Sequence, residues 1–293
     1  MTRNTLQRLA LFGLGIPALI AIVLFFPFAR YGVLVVLVLI LQTIASSEMI
    51  TLCSCGGKKI SAVPSIIAAV FTGLAVYVSC IFESTIPGFS TPLEMLGYAS
   101  VISFLFLLSP VGFARKEEAP DLLRNIAARA LTHFYVGILG AFLILILSDF
   151  DSGPAPIFTF LLMTFGNDSL AWLAGTTLGK RRGIVPMSPN KSVAGFVGGL
   201  AGSIGGGFIA AAIFPDAGFP GFFGLLLFGL AMGVAVIAGD LAESGFKRSA
   251  GVKDSGSLVP GRGGVLDSID SILFSAPVFL LLVKAIGIFS TGI

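Results

Sequence analysis

Residues 60–82 read ISAVPSIIAAVFTGLAVYVSCIF, twenty-three positions without a charged side chain. At a rise of ~1.5 Å per residue, a helix of that length spans the hydrocarbon core of a bilayer, about 30 Å thick. Eight further runs are mostly apolar, roughly Leu9–Phe28, Tyr31–Ser47, Leu93–Phe113, Ile126–Ser148, Ile157–Leu178, Gly195–Phe214, Phe219–Gly239 and Ile269–Phe289. Together they predict an all-α fold, a polytopic membrane bundle of about nine transmembrane helices. A tight turn is expected at Pro27–Arg30, and the Tyr31–Ser47 run is short enough to be tilted or partly interfacial. The whole composition agrees. The 293-residue chain is 56% hydrophobic and 11% charged, with a mean hydropathy of +1.01. A soluble domain carries about 25% charged residues. No nucleic-acid partner is expected.

The net charge of +3 says little, but its placement is informative. Arg3 and Arg8 precede a run longer than the ~7–15 apolar residues of a signal peptide, and no small-x-small cleavage site follows. That run reads as a retained first helix. With the N-terminus in the cytoplasm, the inside segments hold Lys58, Lys59, Arg115, Lys116, Arg124, Arg129, Lys180, Arg181, Arg182, Lys191, Lys247, Arg248, Lys253 and Arg262. The outside loops hold only Arg30, while Lys284 can snorkel from the last helix. Basic residues favour the cytoplasmic side, so the chain reads as a multi-pass protein of a bacterial inner membrane with its C-terminus outside. Residues 114–129, ARKEEAPDLLRNIAAR, predict a cytoplasmic surface helix. The organisation expected is an N-terminal membrane region over 1–125 and a catalytic membrane region over 126–293.

Several features carry no chemistry. Cys53, Cys55 and Cys80 make neither an even disulfide framework nor a complete metal clamp. The lone histidine, His133, is expected to be a hydrogen-bonded helix contact. Residues 195–207, GFVGGLAGSIGGG, repeat the G-x-x-x-G spacing that lets helix backbones approach in lipid. The run from Gly175 to Lys180 is one residue short of a phosphate-binding loop and lacks its Ser or Thr.

Three clusters remain. Asp168 sits inside an apolar run, where an ionised carboxylate costs about 2.5–3.5 kcal/mol and so implies a polar cavity or partner. Ser188-Pro189-Asn190-Lys191 turns into a glycine-rich helix, a plausible phosphate seat at a helix N-terminus. The longest polar stretch, Gly239–Asp270, places Asp240 and Glu243 three apart at one helix end. Asp267 and Asp270 stand three apart at the start of the next helix. Each pair is expected on one face. Between them lie Lys247, Arg248, Lys253 and Arg262, and Gly261–Gly264 could form a backbone concavity for an anion. Carboxylates for hard cations beside basic groups are what phosphoryl or nucleotidyl transfer needs.

The same stretch resembles the phosphatidate cytidylyltransferase (CDP-diacylglycerol synthase) family. That family's pattern runs S-x-hydrophobic-K-R, four residues, K-D-x-small, then P-x-H-G-G, hydrophobic, x-D-R-hydrophobic-D. Here it is carried by Ser244, Phe246, Lys247 and Arg248, then Lys253, Asp254 and Gly256, then Pro260, Gly263 and Gly264, then Val265, Asp267, Ile269 and Asp270. Gly239-Asp240, Asn167-Asp168, Gly179-Lys180 and Ser188-Pro189-Asn190-Lys191-Ser192 also fit. The resemblance is dense over 167–270. Arg262 stands where the family has His, Ser268 where it has Arg and Ala194 where it has Glu; Val259 is a milder change.

The resemblance implies the reaction CTP plus phosphatidate to CDP-diacylglycerol plus pyrophosphate. It implies Mg²⁺, with a second cation possible, on Asp240, Asp267, Asp270 and Asp168. Lys191, Lys247, Arg248 and Lys253 would contact phosphates, and Ser188 and Ser244 would donate hydrogen bonds. Asp240, Lys247, Arg248 and Asp267 are the expected catalytic group. Membrane lipids surround the chain, and a homodimer is the assembly the family suggests. Two other readings stay open: a CTP-dependent lipid kinase acting on a polyprenol or phytol, and a transporter using Asp168 and Asp240 as ion sites. Arg262 is expected to take over the anion-binding job of the arginine that Ser268 replaces. Arg262→Ala should then weaken CTP binding roughly tenfold, the worth of about one charged hydrogen bond; unchanged affinity in a binding titration contradicts it.

Overall fold

The computed structural model describes residues 15, 17–55, 57–83, 85–113, 119–150, 153–183 and 185–289. Among them are eight helices long and apolar enough to cross a membrane. They are α1 (Phe28–Ser54), α2 (Val63–Phe82), α3 (Pro92–Leu108, continued by the short piece Pro110–Phe113), α4 (Ala119–Ser148), α5 (Ala155–Thr177), α6 (Val193–Ile213), α7 (Phe222–Ser249) and α8 (Leu266–Ile286). Residues 17–25 are also helical, so the all-α bundle of about nine helices holds. The start of the first expected run lies outside the described residues. No strand occurs among the described residues, only isolated bridges at Arg182–Ser192 and Val259–Gly263.

Three boundaries differ from the hydropathy reading. Helix α1 is 27 residues long, so it is not the short, interfacial segment expected; the backbone continues past Ser47 through polar residues. The expected turn lies just where α1 begins, with Ala29, Arg30 and Tyr31 in the left-handed region. Helix α7 likewise runs past Gly239 to Ser249. The expected surface helix and fifth span are one continuous helix, α4, of 30 residues and so about 45 Å long; residues 114–118 lie outside the described set.

The chain divides into two compact units, Met1–Asp149 with Ser249–Ile269, and Phe150–Arg248 with Asp270–Ile293. That division follows contacts, not the sequence cut at residue 125.

In the first unit, α1 and α4 run antiparallel, latched at both ends. Arg30 donates to the Ser148 carbonyl at 2.8 Å, and the Ser148 hydroxyl returns a bond to the Arg30 carbonyl. At the other end Lys58 pairs with Asp121, and Arg124 reaches the Ser54 and Lys58 carbonyls. Midway, α4 loosens into a π-turn at His133–Ile138. Gln42 answers it by donating to the Val136 and Gly137 carbonyls at 3.1 and 3.0 Å. His133 is buried there, yet neither ring nitrogen has a hydrogen-bond partner, so the hydrogen-bonded contact expected of it is not found. Thr72 and Ser103 bond α2 to α3. A capping box of Thr91 and Glu94 starts α3. The three cysteines are free thiols.

In the second unit, α5 and α6 approach backbone to backbone along the glycine ladder. A side chain at Gly202 would strike the Gly166 carbonyl, and one at Gly206 would lie 2.6 Å from that of Leu162. Asn167 ties three helices by donating to the Ser203 hydroxyl and the Gly233 carbonyl. Phe279 stacks against Phe160 and Phe228, with ring centroids 5.3 and 5.8 Å away.

Gln42→Leu should leave two carbonyls of the π-turn without their donor. Removing a buried partner costs about 1–3 kcal/mol, so a thermal melt of the purified variant should shift down by several degrees; an unchanged midpoint would show that the π-turn does not need Gln42.

Candidate active site

The second unit gathers most of the predicted residues. Arg182 and Ser192 bridge a loop that returns the chain from α5 to α6. Arg182 also donates to the Gly179 and Gly175 carbonyls, closing the C-terminal end of α5. Ser192 caps α6 by accepting from the Gly195 amide at 3.1 Å. The Val193 amide is taken by the Arg181 carbonyl. The helix start is therefore largely satisfied internally, which removes much of the expected phosphate seat. Ser188 lies in this loop, its carbonyl accepting from the Lys191 amide. Lys191 itself forms an ion pair with Asp240 and lies 5.7 Å from the Phe196 ring centroid.

Asp240 reaches this position because α7 runs unusually close to α8. A Cβ on Gly239 would sit 2.7 Å from the Phe274 Cβ and 2.9 Å from the Asp270 carbonyl. The Ser244 hydroxyl, one turn on, lies 3.4 Å from Asp240. Asp270 is 6% exposed, and its Oδ1 accepts from the Ser271 amide at 2.6 Å and from the Ser271 hydroxyl. The charges of both Asp240 and Asp168 act on it. Asp240 and Glu243 do not work as a pair: Glu243 is fully buried and holds Lys247, four residues along α7. Lys247 is thus engaged by an acid the sequence reading placed beside Asp240. Arg248 is exposed.

The first unit holds the rest. Lys253 is exposed. Pro260 and Gly261 occupy the middle of a turn in which Gly261 has φ +75, as a type II turn requires. The Arg262 and Gly263 amides donate to the Val259 carbonyl, and the Gly264 amide donates to Asp267 at 2.7 Å. These amides are occupied, so the anion concavity expected at Gly261–Gly264 is absent. Gly263, at φ +114, allows the chain to pass the Asp267 carboxylate closely. Asp267 is turned back on its own helix start: Oδ2 also accepts from the Ser255 amide at 2.8 Å and the Ser255 hydroxyl at 3.0 Å. Ser268, the position that departs from the family pattern, bonds the Gly264 carbonyl.

Two residues were missed. Glu48 on α1 accepts from Val265, Leu266 and Ser255. The available signal was an acid in a helix otherwise apolar, which ordinarily marks function; closing the run at Ser47 hid it. Ser255 was passed over as a variable motif position.

Among the described residues, no three acidic, imidazole or thiol groups form a ready metal cage. Asp240 is engaged by Lys191, Asp267 by Ser255 and Gly264, and Asp270 by Ser271. Within the second unit, Asp168, Asp240 and Asp270 therefore do not form a preformed cage. A hard cation still suits the second unit, where the negative charges of Asp240 and Asp168 both act on Asp270. Mg²⁺ characteristically takes one or two carboxylates and completes its shell with water and substrate phosphates. An open groove of about 490 Å³ also runs between α5 and α6, lined by Ala174, Leu178, Val193 and Val197, with Lys180 and Arg181 at its edge.

The family model described as "Cytidylyltransferase family" matches residues 6–286. The chain is 30% identical to the "Phosphatidate cytidylyltransferase" of Staphylococcus aureus (strain COL) over 270 residues, covering 90% of this chain and 96% of that one. It is 35% identical to the protein of the same name from Brucella abortus biovar 1 (strain 9-941), covering 50% of this chain and 54% of that one. It is 33% identical to the "Uncharacterized protein YnbB" of Escherichia coli (strain K12), covering 61% and 60%. The matches to the last two span little more than half the length of each relative.

Gly239→Val should force α7 away from α8 and separate Asp240 from Asp270 without altering any charged residue. Overpacking of this kind costs about 1–3 kcal/mol. A lower melting midpoint together with abolished turnover is expected; a variant with wild-type stability and turnover contradicts the role given to this contact.

Proposed function

We propose that this chain, which belongs to the cytidylyltransferase family, joins CTP to phosphatidate to give CDP-diacylglycerol and pyrophosphate. A phosphate oxygen of phosphatidate attacks the α-phosphorus of CTP. As that bond forms, the bond from the α-phosphorus to the bridging oxygen breaks, and pyrophosphate leaves with the electron pair. Charge accumulates on phosphate oxygens throughout, so catalysis is mainly positioning and neutralisation.

The observation that carries this reading is the ion pair of Lys191 with Asp240, on a helix packed tightly against the Asp270 backbone. Lys191 supplies a cation whose position Asp240 fixes, and Ser244 steadies Asp240 from the next turn. Of Asp240, Asp270 and Asp168, one or two would hold Mg²⁺, which would supply electrostatic neutralisation of the triphosphate and its leaving group. Glu243 fixes Lys247 on α7, leaving Arg248 as the more exposed cation of that pair. By resemblance, Asp267 is assigned to metal, Lys253 and Arg262 to phosphate, and Ser188 to a hydrogen bond. The groove edged by Lys180 and Arg181 suits an anionic lipid, with apolar lining for its chain. The bias of Lys and Arg supports a cytoplasmic N-terminus and a reaction on the cytoplasmic side of a bacterial inner membrane. A homodimer is the assembly implied by the resemblance.

Purified protein given CTP, phosphatidate and Mg²⁺ should make CDP-diacylglycerol, and Asp240→Asn should slow it by about 10²-fold or more. No CDP-lipid from the wild type with Mg²⁺ or Mn²⁺ would overturn the reading. Normal turnover by Asp240→Asn would overturn the site assignment alone.

A further inference from the structure

Glu48 is 9% exposed within α1, a position where an unmatched carboxylate would be strongly unfavourable. Its Oε1 accepts from the Val265 amide at 3.0 Å, and its Oε2 accepts from the Leu266 amide at 2.8 Å. Those amides open α8, where backbone donors have no partner within the helix and the dipole favours negative charge. Oε2 also lies 3.0 Å from the Ser255 hydroxyl. That hydroxyl is 3.0 Å from Asp267 Oδ2 as well, so its one proton is shared between two carboxylates. The surrounding glycines fit this arrangement. A side chain at Gly256 or Gly264 would collide with the Glu48 carboxylate. In this loop the conspicuous glycines make room for an acid of the protein itself.

Closing a helix start does not require such a device, since a Ser, Asp or Asn at the cap position would suffice. Here the cap comes from a residue 218 positions away, and it is wired through one hydroxyl to a residue of the transfer motif. We propose that Glu48 is a positioning residue for the reaction: by holding Ser255 and the first amides of α8, it sets the orientation of the Asp267 carboxylate. Three donors to Asp267, the Ser255 amide and hydroxyl and the Gly264 amide, engage Oδ2. The carboxylate thus has one orientation before substrate arrives, which is how a polar site is preorganised. This inference rests on the cytidylyl-transfer reading and on the role that reading gives Asp267.

Glu48→Gln keeps the shape but replaces one acceptor by a donor, so the amides and Ser255 can no longer all be served. Ser255→Ala removes the hydroxyl that joins Glu48 to Asp267 and leaves the Glu48 bonds to the Val265 and Leu266 amides. Two measurements are made on full-length protein: steady-state transfer from CTP to phosphatidate, and amide exchange over residues 264–267. Both variants should lose about 10²-fold in kcat, the scale of a small misplacement of a reacting group. KM for CTP and for phosphatidate should stay within about twofold, because the interaction removed does not bind substrate. Exchange at Val265 and Leu266 should accelerate in Glu48→Gln and stay protected in Ser255→Ala. Wild-type kcat in Ser255→Ala, or a raised KM with kcat intact, overturns the inference. If Glu48→Gln does not fold, Ser255→Ala decides alone. A wild type that makes no CDP-lipid sinks the transfer reading and the catalytic role together. Exchange data separate that case from failure of the Glu48 link, which unchanged protection in Glu48→Gln would show.

Discussion

A carboxylate inside a bundle of apolar helices has to be met by donors or cations. Removing an ion from water costs several kcal/mol, and no solvent is at hand to compensate. The polar architecture of this chain follows from that demand. Glu48 in α1 is met by the amides that open α8 and by Ser255. Glu243 in α7 is met by Lys247, and Asp240, which is partly open to solvent, by Lys191. Asp267 is met by Ser255 and Gly264. Much of the conspicuous motif chemistry, including its lysines and glycines, thus serves first to stabilise acids of the protein. The same contacts leave those acids fixed in place.

The helices were legible because a bilayer demands long uncharged runs, and residues 60–82 or 195–214 satisfy little else. Their ends were less legible, and the reason is physical. Hydropathy falls where polar residues begin, but backbone hydrogen bonding continues. Helix α1 therefore carries Glu48 and α7 carries Asp240 to Arg248, both beyond the expected boundary. The π-turn of α4 and its partner Gln42 left no periodic trace.

Lys191, Asp240, Ser244, Asp168 and Asp270 were singled out by spacing and motif, and all five lie in the second unit. The expected concavity at Gly261–Gly264 failed because a glycine-rich string does not say who uses its amides; here Val259 and Asp267 do. Glu48 could not be placed from local pattern, since its partners lie more than 200 residues away. The departures from the family pattern have local roles or none that the contacts explain. Ser268 turns back on the first turn of α8. Ala194 sits in the first turn of α6, beside the groove edged by Lys180 and Arg181.

The central claim is that the nucleotidyl group, not a terminal phosphate, passes to the lipid. One reaction containing phosphatidate and CTP labelled separately in the cytosine ring and in the γ-phosphate tests this directly. Ring label in the lipid product with γ-label in pyrophosphate is the predicted result. γ-Label in the lipid with the ring label left in CDP would identify a lipid kinase and contradict the claim.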